Sequence, residues 1–159
     1  MTSQVLIDQE SRAIEAWVRL LRGHAATRRS FDAQLQGDHG LTVNDFEALL
    51  LLSGAEDNQM RRVDLADGLQ LTASGVTRLL DGLEKLGLVE KATCAKDARV
   101  TYAVLTEAGA EKLKEASCSH VAAIKALFEE RYTRDEIATL AELLARLPGA
   151  AEDAGACGV

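Results

Sequence analysis

Two helical patterns placed almost end to end, at residues 61–70 and 71–87, restrict the fold of this chain more than any other feature. The first, RRVDLADGLQ, has apolar residues at helical spacing for only about two turns. The second, LTASGVTRLLDGLEKLG, is amphipathic, and Gly87 is suited to end it. Two short helices joined by a turn of about three or four residues have the spacing of a helix-turn-helix. The sequence therefore predicts this motif over residues 61–87.

The second of these helices has two different faces. Its apolar residues form a stripe that we expect to be buried, namely Val76, Leu79, Leu80, Leu83 and Leu86. The opposite side carries short side chains, glycines and single charges, namely Thr72, Ser74, Gly75, Thr77, Arg78, Asp81, Gly82 and Lys85. Each glycine costs a helix about 1 kcal/mol relative to alanine. We therefore expect this face to need close approach by another molecule.

A β-hairpin is predicted directly after the second helix, because the period of the apolar residues changes there. Residues 100–105 alternate as in a strand, and residues 88–92 can pair with them. The polar loop between them contains Lys96, Asp97 and Arg99. A helix-turn-helix followed by a hairpin is a winged helix, whose second helix enters the DNA major groove while the hairpin reaches the backbone or the minor groove.

The remaining elements are predicted to be helical. A polar loop, AEDNQM, separates the helix-turn-helix from the helix before it. The capping and breaking residues predict these bounds: a long helix from about 11 to 35 ended by GDHGL, a central helix capped by Thr42 or Asn44 and ended by Gly54, a long helix at about 107–131 capped by Thr106, and a last helix capped by Thr133 or Asp135 and ended by Pro148.

The charge distribution bears on a polyanionic partner. The formal net charge of −7 by itself disfavours one, because an acidic surface repels phosphates. The acidity is uneven, however. Residues 1–57 carry 5 basic and 9 acidic side chains, residues 102–159 carry 6 and 10, and residues 58–101 carry 7 and 6. The segment with the predicted helix-turn-helix and hairpin is therefore the part that is not acidic.

Individual side chains in this segment suit contacts with double-stranded DNA. Arg78 lies on the outward face, and its guanidinium can bind guanine or a phosphate with two hydrogen bonds. Lys85 and Lys91 suit phosphates. In the hairpin, Asp97 can hold Arg99 extended toward a narrow minor groove. Taken one by one, these residues fit an ordinary outer helix and a surface ion pair equally well, but their order along the chain favours DNA binding.

Several other classes of protein are disfavoured by the sequence. The chain has neither a signal peptide nor an apolar run long enough to span a membrane, so we expect a cytoplasmic protein. Cys94, Cys118 and Cys157 are odd in number and have no C-x-x-C spacing, which favours reduced thiols. The histidines lack metal-ligand spacing, and no enzyme motif is present. We therefore expect no cofactor, no metal and no catalytic residue.

The stretch from LTVNDFEALLLLSG to LTEAG resembles the MarR (multiple antibiotic resistance regulator) family of bacterial transcription factors. The most specific pieces are SGVTRLLDGLEKLGLVE, KDARV and LTEAG, whereas the turn reads LQL instead of containing glycine. The fold class expected is mainly α with a small β-hairpin wing (α+β). One domain over residues 1–159 is expected, with the winged helix-turn-helix at 41–105, dimerisation helices at 11–40 and 106–148, and a disordered tail at 149–159. The resemblance implies that Arg99 enters the minor groove.

The long flanking helices need a partner, because a winged helix of about 65 residues cannot cover their apolar faces. A second copy of the chain can do so and would place two recognition helices about 34–36 Å apart on a pseudo-palindromic operator. The alternative is a monomer whose terminal helices fold back. On the first helix, His24 and Arg28 share a stripe with Trp17. Either this stripe makes ion pairs or surface contacts, or it binds a small anionic or phenolic effector that releases DNA, as the resemblance suggests.

Two other functions remain open. The first is an interaction or dimerisation module that keeps the winged-helix shape without binding DNA, which the net charge favours. The second is a redox-sensing regulator that uses Cys94 in the hairpin, with Lys91 and Lys96 nearby. The peroxide-sensing branch of the family has its reactive cysteine near the N-terminus, and no cysteine precedes Cys94. We therefore expect a sequence-specific, DNA-binding transcriptional regulator, acting as a homodimeric repressor.

Overall fold

The computed structural model describes residues 2–93 and 99–150, with side chains from residue 11 onward. This part of the chain forms six α-helices and three strands. In chain order they are α1 Thr2–His39, α2 Val43–Gly54, β1 Gln59–Arg61, α3 Arg62–Gly68, α4 Ala73–Lys85, β2 Val89–Thr93, β3 Thr101–Leu105, α5 Glu107–Glu129 and α6 Arg134–Leu144. The prediction of a mainly helical chain with a small hairpin is confirmed.

Threonine side chains fix where the helices begin. The Thr42 hydroxyl accepts a hydrogen bond from the Asp45 amide, and the Asp45 carboxylate accepts one from the Thr42 amide, so the pair forms a capping box at the start of α2. Thr106 caps α5 through the Gly109 amide. Thr133 and Glu136 form a second capping box at the start of α6. The predicted helix starts at Thr42, Thr106 and Thr133 are therefore confirmed.

The ends of the outer helices differ from the prediction. Helix α1 begins at Thr2 and ends at His39, not at 11 and 35, because residues 2–10 contain no breaker and Gly40 is the residue that takes a positive φ of 69°. Helix α6 ends at Leu144, four residues before Pro148. The Leu147 amide donates to the Leu144 carbonyl in a tighter turn, which suits a residue that precedes proline.

The sheet has three antiparallel strands in the order β1-β3-β2. β2 pairs with β3 from Val89 opposite Leu105 to Thr93 opposite Thr101, which confirms the predicted hairpin. β1 pairs with the other edge of β3, with Met60 opposite Ala103. The sequence analysis predicted a polar loop at β1. This three-residue strand has no alternating pattern of its own and is defined by its pairing with β3.

The hydrophobic core lies in the winged-helix region and reaches only the nearest parts of the long helices. α5 contributes Leu113 and Ala116, whereas Leu35 is the buried apolar residue in the described part of α1, and α6 has no buried residue. The rest of the core comes from the segment between α1 and α5, namely Leu41, Val43, Phe46, Ala48, Leu49, Leu52, Leu65, Ala66, Leu69, Val76, Leu80, Leu83, Leu88, Val89, Ala103 and Leu105. The flanking helices therefore extend beyond the core that this chain provides.

Candidate nucleic-acid interface

The turn between α3 and α4 has the geometry of a glycine-containing turn although it contains no glycine. Gln70 has a φ of +53°, in the left-handed region that favours glycine. The Gln70 amide donates to the Asp67 carbonyl, and the Leu71 amide donates to the Ala66 carbonyl at 2.9 Å. These two bonds make a Schellman motif, which here ends α3 with glutamine in the usual glycine position. The turn between α3 and α4 is therefore formed without the glycine that is common in this class of protein.

Helix α4 buries one face, as predicted, except at its last position. Val76, Leu80 and Leu83 are buried and Leu79 is half-buried, but Leu86 is 60% exposed. The prediction for Leu86 was wrong because Leu86 is the C-cap residue, after which the chain turns away. Gly87, with a φ of +72°, confirms the predicted helix end.

Helix α4 directs a polar face away from this core. Ser74, Arg78 and Lys85 are exposed. Within residues 2–93 and 99–150 the Arg78 side chain makes no hydrogen bond or ion pair, so its guanidinium is available to a partner. Thr72, by contrast, caps α4: its hydroxyl accepts a hydrogen bond from the Gly75 amide at 3.1 Å and lies 3.2 Å from the Ser74 hydroxyl.

The two glycines of α4 have different surroundings. A Cβ atom at Gly75 would lie 3.2 Å from the Thr72 hydroxyl oxygen, which is tighter than ordinary contact. A Cβ atom at Gly82 would have nothing within 4 Å. Packing inside the protein therefore gives a reason for glycine at position 75 but not at position 82. No contact among the described residues explains why position 82 is glycine. The expectation that another molecule approaches this position closely therefore stays a prediction.

Lys91, on β2, is paired with two carboxylates of α4. Its Nζ lies 2.5 Å from Asp81 Oδ1 and 3.0 Å from Glu84 Oε2. The hydrogen bond from Lys91 lowers the pKa of Asp81, and the bonds to Asp81 and then Glu84 raise the pKa of Lys91. The side chain predicted to bind phosphate thus already has two anionic partners. Lys91 therefore links β2 to α4 through two ion pairs.

An open groove of about 390 Å³ lies between the starts of α3 and α4 and the start of β3. Three arginines line it: Arg61, Arg62 and Arg99. Arg61 pairs with Asp64 on the surface, whereas Arg62 Nη2 donates to the Thr77 hydroxyl. Arg61 and Arg62 were not among the predicted site residues, although two adjacent arginines at the start of the first helix of a helix-turn-helix are a visible signal.

The rest of the predicted hairpin site lies outside the described residues. This applies to Lys96 and Asp97, and to the candidate redox residue Cys94. Residues 151–159 of the predicted tail, with Cys157, also lie outside. Arg99 is described and exposed at the edge of the groove.

The predicted effector residues are spread along α1. Trp17 lies eleven residues before Arg28, which is about 16 Å along the helix axis. The three residues therefore do not form one compact site within a single chain. Arg28 donates to Asn44 Oδ1 and lies 4.0 Å from Glu47 Oε1, both on α2. Burial raises the pKa of Glu47, and the charges of Arg28 and His24 oppose this rise. The contacts of Arg28 with Asn44 and Glu47 could not be foreseen from the sequence, because these residues belong to another helix.

Two general features of the described residues also bear on function. No helix among them is long and apolar enough to cross a lipid bilayer. Among the same residues, no three histidine, cysteine or acidic side chains are grouped so that they could hold a metal ion.

The helix-turn-helix of α3 and α4, followed by the hairpin of β2 and β3, defines a winged-helix protein. A family model described as "MarR family" matches residues 39–100. The transcriptional repressor YetL of Bacillus subtilis is 31% identical over 112 residues, which span 68% of this chain and 66% of YetL. The chain belongs to the MarR family of transcriptional regulators, whose members are not enzymes.

Solved structures agree with this assignment. The crystal structure of AbsC, a MarR family regulator from Streptomyces coelicolor, has a TM-score of 0.73 and 31% identity, with 81% of this chain and 86% of AbsC covered. The structure of Sco3205, from the same organism and in complex with DNA, has a TM-score of 0.77 and 26% identity, with 84% and 83% covered. The expected family and the winged-helix fold are both confirmed.

Proposed function

We propose that this protein is a homodimeric repressor that binds a pseudo-palindromic operator in double-stranded DNA and is released by a small anionic or phenolic effector. The observation that carries DNA binding is the exposed polar face of α4, where Ser74, Arg78 and Lys85 lie opposite a buried apolar face. The major groove, about 12 Å wide, admits an α-helix, and Gly82 removes bulk from the face that would approach it. The DNA complex of Sco3205 and the repressor name of YetL support this proposal.

The proposed contacts differ in what they read. Arg78 makes two hydrogen bonds to a guanine edge, and Lys85 makes a phosphate contact. Arg99, at the edge of the hairpin, enters the minor groove. The other proposed contacts are Thr72, Ser74, Gly75, Thr77, Lys91 and Lys96, whereas Asp97 orients Arg99 and does not itself touch DNA. Base contacts determine which sequence is bound, whereas phosphate contacts determine how strongly affinity depends on salt.

Two substitutions on the same helix test this division. Operators would first be selected from random DNA with the wild-type protein, and an inverted repeat is expected. Arg78→Ala should then lose about 1–3 kcal/mol of discrimination between operator and random duplex. Lys85→Ala should weaken binding to both duplexes alike and reduce the salt slope by about 0.9. A wild-type protein that prefers no duplex over heparin would refute DNA recognition.

The homodimer is proposed from apolar surface that this chain leaves exposed. With 38 residues, α1 is about 57 Å long, and its exposed residues include Trp17 at 58%. Other exposed apolar side chains on the flanking segments are Ile14, Leu21, Val121, Tyr132, Leu143, Leu144 and Leu147. Since α6 has no buried residue, the terminal helices do not cover each other within the chain. A second copy that covers these faces by two-fold symmetry places two α4 helices on one side.

Sedimentation equilibrium tests the dimer directly. Trp17→Glu combined with Leu143→Glu should convert a dimer to a monomer, because burying unpaired carboxylates in an apolar interface is costly. Val63→Glu is a matched control, since Val63 is equally exposed, at 62%, but belongs to the winged-helix region. A wild-type monomer at micromolar concentration would refute the proposal.

The effector part of the proposal rests on the charged contact between α1 and α2. An anionic effector that binds Arg28 competes with Glu47, whose burial is already unfavourable to its charge. Displacing Glu47 loosens α2 from α1, and DNA is released only if the effector prefers dimers with altered helix spacing. Benzoate and phenol serve as probes in thermal-shift and gel-shift titrations. Arg28→Ala should abolish the response and Arg19→Ala, which changes an exposed arginine on the same helix, should preserve it.

A dimerisation module without DNA binding is the second candidate. It is favoured by the net charge of −7 and by the pairing of Lys91 with two carboxylates. This function predicts that Arg78→Ala changes neither duplex binding nor dimerisation, while the double substitution in the flanking helices still abolishes the dimer.

A further inference from the structure

Arg62 and Thr77 form a polar pair that joins the two helices of the helix-turn-helix. Arg62 is the first residue of α3, and its Nη2 donates to the Thr77 hydroxyl on α4. The Thr77 hydroxyl itself donates to the Ala73 carbonyl at 2.7 Å. A hydroxyl has one proton and two acceptor positions. Thr77 has therefore used its only proton inside its own helix and cannot donate a hydrogen bond to a DNA base.

Arg62 differs from its neighbour Arg61 in how its charge is balanced. Arg61 is exposed and donates to both carboxylate oxygens of Asp64, at 2.7 and 2.8 Å. Arg62 is half-buried and has no carboxylate within ion-pair distance among the described residues. Its Nε is buried without a partner, which is an unfavourable state for a charged group. The charge of Arg62 makes a small contribution to the lowered pKa of Asp81, but Lys91 already holds that carboxylate.

The position of Arg62 fits a negatively charged partner that comes from outside the chain. It lines the open groove between the starts of α3 and α4. In a helix-turn-helix the first helix crosses the DNA backbone while the second lies in the groove. A guanidinium at the start of α3 therefore approaches phosphate, with which it forms strong charge-assisted hydrogen bonds.

We propose that Arg62 is a phosphate-contact residue and that Thr77 is its positioning residue. Thr77 then contributes to DNA binding by holding Arg62 over the face of α4 and not by donating a hydrogen bond to a base. This inference rests on the proposed DNA binding and adds to it a contact that lies outside the recognition helix. It also changes Thr77 from a direct DNA contact, as proposed above, to a positioning residue.

A double-mutant cycle on operator binding tests the pair. Arg62→Met should lower operator affinity about tenfold near 0.1 M salt and reduce the salt slope by about 0.9, because one phosphate contact is lost. Thr77→Val removes the acceptor, so it should reduce both quantities in the same direction. The double variant should bind no more weakly than Arg62→Met alone. Thr77→Ser, which keeps the hydroxyl, should restore the wild-type slope.

Controls separate this inference from a loss of fold and from the proposed function. Arg61→Met removes a neighbouring exposed charge and should change affinity less than threefold, as expected for a paired surface arginine. Thermal melting identifies any variant that unfolds. Additive effects in the cycle, or an unchanged salt slope in Thr77→Val, would refute positioning through Arg62 while DNA binding stands. A wild-type protein without salt-dependent duplex binding would refute both proposals.

Discussion

Gly109 allows the start of α5 to lie directly against the residues that follow α4. A Cβ atom at this position would lie 2.1 Å from the Leu88 carbonyl oxygen and 2.7 Å from Leu105 Cδ1. The same Leu88 carbonyl accepts a hydrogen bond from the Thr106 amide at 3.2 Å, and the Thr106 hydroxyl donates to the Gly87 carbonyl at 2.7 Å. We predict that Gly109→Ala is strongly destabilising, because backbone and not a flexible side chain occupies the space.

The magnitude follows from these distances. Relieving the contact needs a shift of about 1 Å, and overpacking of this kind costs about 1–3 kcal/mol. The shift also lengthens the bond between Thr106 and Leu88, which costs a further 0.5–1.5 kcal/mol or so. The higher helix propensity of alanine stabilises the folded protein by at most about 1 kcal/mol. The net loss is about 2 kcal/mol, or a decrease in Tm of about 4–8 °C for a chain of this length.

Thermal unfolding at a fixed protein concentration measures this effect, since a dimer has a concentration-dependent Tm. Gly82→Ala is the matched control, because a Cβ atom there has nothing within 4 Å. It should raise Tm by about 2–4 °C through helix propensity. A Gly109→Ala protein that melts at or above the wild-type temperature would show that α5 does not need this close approach.

Three further predictions concern other parts of the chain. Burial lowers the pKa of His120 below 6.5, so the unfolded chain binds a proton that the folded protein excludes and stability falls as pH drops below 6.5; His120→Gln should flatten this loss in urea titrations, and a variant that keeps the wild-type pH dependence would refute the assignment to His120. Gln70→Gly should stabilise the protein by about 0.5–1 kcal/mol and Gly87→Gln should destabilise it by a similar amount, because both positions have positive φ. If the redox hypothesis holds, Cys94→Ser abolishes peroxide sensitivity of DNA binding in gel shifts; unchanged sensitivity would rule it out.

Local signals in the sequence were sufficient for most of the fold. Helix starts follow from side chains that bond to amides three residues later, so Thr42 and Thr133 could be identified without tertiary information. Gly87 was recognisable as a helix end for a different local reason, because glycine readily takes the positive φ found where a helix ends. Leu86 was misassigned because a helical wheel assumes that the helix continues, whereas the burial of a C-cap residue depends on where the following chain goes.

Contacts between elements could not be predicted in the same way. β1 is a strand only because it pairs with one edge of β3. Arg62 forms its hydrogen bond with Thr77 only because α3 packs on α4. The partners of Arg28 lie on α2, 16 and 19 residues further along the chain. Such pairs depend on packing geometry that one sequence does not encode in any local pattern. The candidate site was therefore predicted in outline, with its outward residues, but without the interactions that hold them.

The central position of β3 has a consequence for how this regulator can diverge. β3 is paired along both edges, to β1 on one side and to β2 on the other. The frame that carries the wing is therefore anchored independently of the residues that join β2 to β3. Related proteins can therefore vary at Arg99, which is exposed just before β3, while the pairing of β3 and the packing of the helices stay the same.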